Sequence, residues 1–152
     1  MVAITVNHTA KYSKAHNKNT ELVERTARKI LGKLCAEFDI PEGEILIRPI
    51  KGRGTRGRAW PLNHKGEFSV EVDCRLTSER MIAETLAHEF THVEQYYQKR
   101  LITDYSIRQW VTTTGDTVQY GKANTYSQYY SRPWEIEARQ RARNFVEKYF
   151  PE

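Results

Sequence analysis

Residues 88–92 read His-Glu-Phe-Thr-His, a spacing with direct chemical meaning on a helix. Positions i and i+4 lie about 40° apart around the axis and one turn apart along it. Two imidazoles so placed meet at one metal ion, and zinc is the ion that suits such ligands. Glu89 falls about 100° from His88, beside that ion and not on it. From there it can take a proton from water that the ion polarises. The two cysteines, Cys35 and Cys74, are too few for a four-cysteine zinc site.

A catalytic zinc takes three protein ligands and keeps one position open. His64 sits in an apparent turn, and His8 and His16 lie in a polar N-terminal stretch. The better source is Pro133-Trp134-Glu135-Ile136-Glu137-Ala138, which opens a predicted helix. With Glu135 at zero on a wheel of about 100° per residue, Trp134, Ala138, Ala142, Phe145, Val146 and Tyr149 form one apolar arc. Glu135 lies inside that arc and Glu137 outside it. A buried carboxylate needs a partner, which a metal supplies. Glu137 has a simpler partner in Arg141 at i+4. The pattern favours Glu135 as third ligand, with Glu137 as the alternative.

These residues need elements to position them. Asn19–Phe38 carries Val23, Ala27, Ile30, Leu31, Leu34 and Phe38 at helical spacing, and Pro41 and Gly43 end it. Glu44–Ile50 reads as a strand, with Pro49 at a strand end or sheet edge. Arg58–Leu62 reads as a second strand, and Phe68, Val70, Val72 and Cys74 alternate with polar residues as a third. Ser78 is a good N-cap for a helix reaching about Lys99. Residues 100–131 read as a long loop with room for one short hairpin, before a last helix from Pro133 to about Phe150. Residues 1–18 read as a mobile segment. Helix, a short antiparallel or mixed sheet, helix, irregular segment and helix make an α+β domain covering residues 1–152.

The chain has 152 residues and a net charge of +5, enough for one domain with a core of its own. No run is apolar enough to cross a membrane, and the first residues lack the pattern of a secretory signal. A cytoplasmic monomer is the expectation. Arg48, Lys51, Arg53, Arg56 and Arg58 crowd eleven residues among three glycines, a segment that suits a mobile basic turn or a nucleic-acid contact with Trp60 stacking. Cys35 and Cys74 read as buried small apolar groups, and Trp110 and Trp134 as core. Gln95 reads equally as cleft lining or as a solvated side chain.

His88-Glu89-Phe90-Thr91-His92 followed by Glu135-Ile136-Glu137-Ala138 resembles the gluzincin metallopeptidases. Size and element order look most like minigluzincins, and are similar to small zincin-like proteins often found in phage genomes. The resemblance implies a small zincin fold and zinc held by His88, His92 and Glu135, with Glu89 as general base of peptide hydrolysis. It also implies an edge strand that pairs with an extended substrate. The strand carrying Val70 and Val72 is the expected edge, and Tyr126, Tyr129 and Tyr130 are candidate oxyanion donors. Family members often carry an aspartate that orients a zinc histidine where this chain has Arg139. That departure leaves room for an inactive zinc-binding protein. A nucleic-acid-associated role resembles the SprT-like proteases, whose third ligand is a histidine, and no histidine follows His92 here.

Overall fold

In the computed structural model, the described residues are 2–6, 14–40, 43–50, 55–62, 66–104 and 107–151. They form β1 (Val2–Val6), α1 (Lys14–Glu37), β2 (Gly43–Ile50), β3 (Gly57–Pro61), β4 (Glu67–Asp73), α2 (Glu79–Tyr97), β5 (Leu101–Asp104), β6 (Ile107–Val111), β7 (Thr117–Tyr120), α3 (Tyr126–Tyr130) and α4 (Pro133–Tyr149). The architecture is α+β, as the order of patterns predicts.

The first sheet is mixed, in the order β1-β2-β4-β3. β1, β2 and β4 run parallel, and β3 pairs antiparallel with β4. Two expectations change here. The N-terminal segment supplies strand β1, in register from Val2 opposite Gly43 to Val6 opposite Ile47. Five residues are too few to display a period, and their partner lies some forty positions away. The strand β4 is interior, hydrogen-bonded on both sides, so it is not the edge expected for substrate. Val70 and Val72 are fully buried and belong to the core. Alternation along β4 reports which face is apolar, and is silent on how many strands flank it.

The main core lies between this sheet and the helices. Ile45 and Ile47 of β2 and Val70 and Val72 of β4 meet Val23, Ile30 and Leu34 of α1 and Ile82, Leu86, Phe90 and Val93 of α2. Such side chains are worth roughly 1.5–3 kcal/mol each when removed from water. α4 closes the cluster with Ala142, Phe145 and Val146. Cys74 is buried as expected, but Cys35 is exposed on the outer side of α1.

Residues 100–131 are more ordered than a loop. β5, β6 and β7 form an antiparallel sheet, followed by α3. The strands are four or five residues long and carry exposed Ile102, Ile107 and Val118, so no apolar stripe marks them. Gly115, at φ +86°, makes the turn from β6 to β7 in a conformation that favours glycine. Leu101 and Trp110 pack on Trp134, with Trp110 and Tyr120 ring centroids 6.2 and 5.1 Å from the Trp134 ring. This second core seats the start of α4, where Glu135 lies.

Candidate metal centre

α2 is capped as the sequence predicts: the Met81 amide donates to Ser78 Oγ at 3.1 Å. The helix is buried on more than one side. Its apolar face enters the main core, while Thr85, Glu89, His92 and Gln95 are buried on the sides facing other elements. α4 opens with Pro133 in its first turn, a position where a missing N–H costs nothing. Glu135 therefore sits in the first turn of α4, where the helix dipole favours a carboxylate.

The two helices bring His88, His92 and Glu135 together. One ligand atom from each lies within 4.8 Å of the others, so the group could hold a metal ion. The imidazole rings are 5.0 Å apart and nearly perpendicular. His88 Nε2 is 3.1 Å from Glu135 Oε2, and His92 Nε2 is 3.0 Å from Glu135 Oε1. Two imidazole nitrogens and a carboxylate oxygen are an ordinary donor set for a divalent transition metal. Burial would raise the Glu135 carboxyl, but hydrogen bonds to the two histidines outweigh it and hold it well below the ordinary value. Burial works against the His92 cation, yet the Glu135 hydrogen bond and the Glu89 and Glu135 charges raise it to about 9.

Glu89 is buried beside this group. Burial pushes its carboxyl above the ordinary value, against the opposing charges of His92, His88 and Arg58. That suits a group that must exchange a proton. Gly57 at the start of β3 makes the close approach possible. A Cβ there would lie 2.9 Å from Glu71 O, 2.9 Å from Thr85 Cγ2 and 3.1 Å from Glu89 Cγ. The edge of the sheet nearest the site is thus β3, in place of the β4 expectation.

The three candidate tyrosines separate. Tyr129 donates its hydroxyl to Glu135 Oε1 at 2.9 Å. Burial, then the neighbouring Glu135 charge, keep that hydroxyl protonated well above the ordinary range. All three line the same cleft and have exposed rings, those of Tyr126 and Tyr130 5.7 Å apart, but of the three only Tyr129 bonds to Glu135.

The expected Glu137–Arg141 pair does not form. Glu137 takes both Arg100 Nη1 and Nη2 at 2.9 Å, and Arg141 turns to Glu94 of α2. Arg100 follows α2 by three residues, so only the folded chain brings it to α4. Glu137 is occupied by this pair, and Glu135 alone of the two glutamates faces the histidines.

The sequence allows Gln95 either as cleft lining or as a solvated side chain. It is fully buried. Its Nε2 donates to Trp134 O and Glu137 Oε1, both at 3.1 Å. Two acceptors on one side fix the amide orientation, so Oε1 is the atom 2.8 Å from His92 Nδ1. Nδ1 must then carry the proton in the neutral ring, which leaves Nε2, the atom facing Glu135, as the nitrogen that a metal could take. The spacing i, i+3 from His92 was the available signal. Arg139, where the resemblance expects an aspartate, stacks over the Tyr130 ring and donates to Tyr130 O at 2.7 Å, and the oxygen that His92 Nδ1 meets is that of Gln95.

Of the basic segment, Lys51 and Arg53 lie outside the described residues, as do His8, His64 and the side chain of His16. Arg48 reaches Ser69 Oγ at 3.5 Å and Glu71 at 3.6 Å. Arg58 covers the Trp60 ring at 5.1 Å, and Arg56 lines the cleft. No helix among the described residues is long and apolar enough to cross a membrane.

No family model, no curated protein and no solved structure matches the chain.

Proposed function

We propose that this chain is a zinc-dependent metallopeptidase of the gluzincin kind, with His88, His92 and Glu135 as ligands. The observation that carries the reading is the convergence of these three side chains from two helices, with ligand atoms within 4.8 Å and buried Glu89 beside them. When bound, zinc supplies a Lewis acid that makes water acidic near neutral pH and polarises a carbonyl. Glu89 takes the proton of the attacking water and passes it to the leaving amine. Its raised affinity for protons serves both halves of that transfer. Tyr129, a donor at all working pH values, stands next to Glu135 and can reach a developing oxyanion when a substrate enters. Gln95 holds the His92 ring, backed by Glu137 and Arg100.

The test is metal content together with hydrolysis. Purified protein should hold one zinc per chain, retained in Glu137→Gln and lost in Glu135→Gln. Unfolded protein substrates should be cleaved by the wild type and not by Glu89→Gln, which should keep its zinc. A wild type that takes up no zinc, or a Glu89→Gln variant that cleaves as well as wild type, would end this reading.

A further inference from the structure

The cleft beside the histidine–glutamate group has a volume of about 670 Å³ and is lined by Arg56, Arg80, Arg139 and Arg143. Its acidic lining residues are Glu84, Glu89 and Glu135. The last two belong to the candidate metal centre, which leaves four arginines and one other carboxylate among the lining residues. Resting on the peptidase reading, we propose that the cleft selects peptide segments with aspartate or glutamate next to the bond to be cut.

Three of the arginines lie along the two helices in register with the centre, and Arg56 directly precedes β3. On α4, Glu135, Arg139 and Arg143 are spaced by four residues, so they rise one and two turns beyond the ligand, about 6 and 12 Å. On α2, Glu84 and Arg80 stand one and two turns before His88. An extended peptide advances about 3.3 Å per residue, so this stretch spans two to four substrate residues on one side of the centre. Two of the arginines are anchored. Arg139 is held by Tyr130, and Arg80 Nε donates to Phe150 O at 3.1 Å. Arg56 is exposed, as is Arg143, and among the described residues neither has an ion-pair partner. Guanidinium forks on both walls match carboxylates at alternate positions of a strand. The free edge of β3, which starts at Gly57 in this cleft, offers main-chain pairing to such a strand. A nucleic acid could use the same charge, but it would gain nothing from the β3 edge, and Arg58 already covers Trp60.

The experiment measures binding apart from hydrolysis. The full-length, zinc-loaded Glu89→Gln protein is titrated into three labelled probes in about 0.1 M salt: an eight-residue peptide alternating Glu and Gly, its Lys counterpart, and an eight-nucleotide single-stranded DNA. The acidic peptide should bind at least tenfold more tightly than the other two. Arg56→Gln with Arg143→Gln should weaken it about tenfold. Arg25→Gln with Lys122→Gln, which lowers the net charge equally but lies elsewhere, should change it less than twofold. Equal losses in both double variants, equal binding of the Lys peptide, or tighter binding of the DNA would overturn the proposal. Selective binding without cleavage by the wild type would leave the selection of acidic peptides standing and sink the peptidase reading. Cleavage of peptides with no acidic preference would do the reverse.

Discussion

The Gln95 side-chain oxygen lies 2.8 Å from His92 Nδ1, one helical turn along α2, and both groups are buried. This contact connects a candidate ligand ring to the ion pairs that tie α2 to α4. Arg100 holds Glu137, Glu137 and Trp134 O hold the Gln95 amide, and Gln95 holds His92. Replacing Gln95 with Ala leaves the His92 N–H without its acceptor and lets the ring turn. Zinc affinity should fall about 10- to 100-fold, the range seen when a ligand's own partner is removed, measured by competition with a chromophoric chelator. The metal-free protein should also lose about 1–3 kcal/mol from unpaired buried groups. Unchanged zinc affinity would refute the orienting role.

Tyr129→Phe separates two roles for the hydroxyl on Glu135. If it serves a developing oxyanion, turnover should fall about 10²- to 10³-fold while zinc content and substrate affinity hold. Tyr126→Phe, whose ring is exposed, should stay within about twofold. A Tyr129→Phe enzyme with full turnover removes the tyrosine from the reaction.

Gly57→Ala tests how β3 rests on α2. The added methyl would meet Glu71 O and Thr85 Cγ2 at 2.9 Å and the Glu89 side chain at 3.1 Å. Overpacking of this kind costs about 1–3 kcal/mol, and relief by shifting Glu89 should lower hydrolysis further than the loss of stability explains. Denaturant unfolding and single-turnover hydrolysis read the two effects. Wild-type values in both would mean that β3 does not press on the helix.

The chelated, metal-free protein should show a defined dependence on pH. The folded value for His92, about 9, is above its ordinary 6.5. The fold therefore favours the protonated ring, and this contribution is complete below pH 6.5 and lost as pH rises through about 9. Thermal midpoints of chelated protein should fall across that window. Zinc-loaded protein, whose His92 would have released that proton to solvent on binding the metal, should lack the fall, and zinc uptake by the chelated form should strengthen as pH rises. A flat profile for the metal-free form would contradict the His92–Glu135 pairing.

The sequence by itself determined what depends on local spacing. The His88–His92 pair and Glu89 follow from helical period, Ser78 and Pro133 mark helix starts, and the apolar arc of α4 selects Glu135 over Glu137. Each of these rests on contacts within a turn or two of one helix. Tertiary structure decided what depends on partners distant along the chain. Whether β4 is edge or centre depends on β2 and β3 flanking it. The partner of Glu137 is Arg100, 37 positions away, and not its helical neighbour Arg141. The work of Gln95 requires Trp134 and Glu137 from another helix. The short strands β5 to β7 carry too little buried apolar surface to announce a period, and gain their place by packing on Trp134. Periodicity records which face of an element is buried, but the identity of what covers that face is set only when the chain closes on itself.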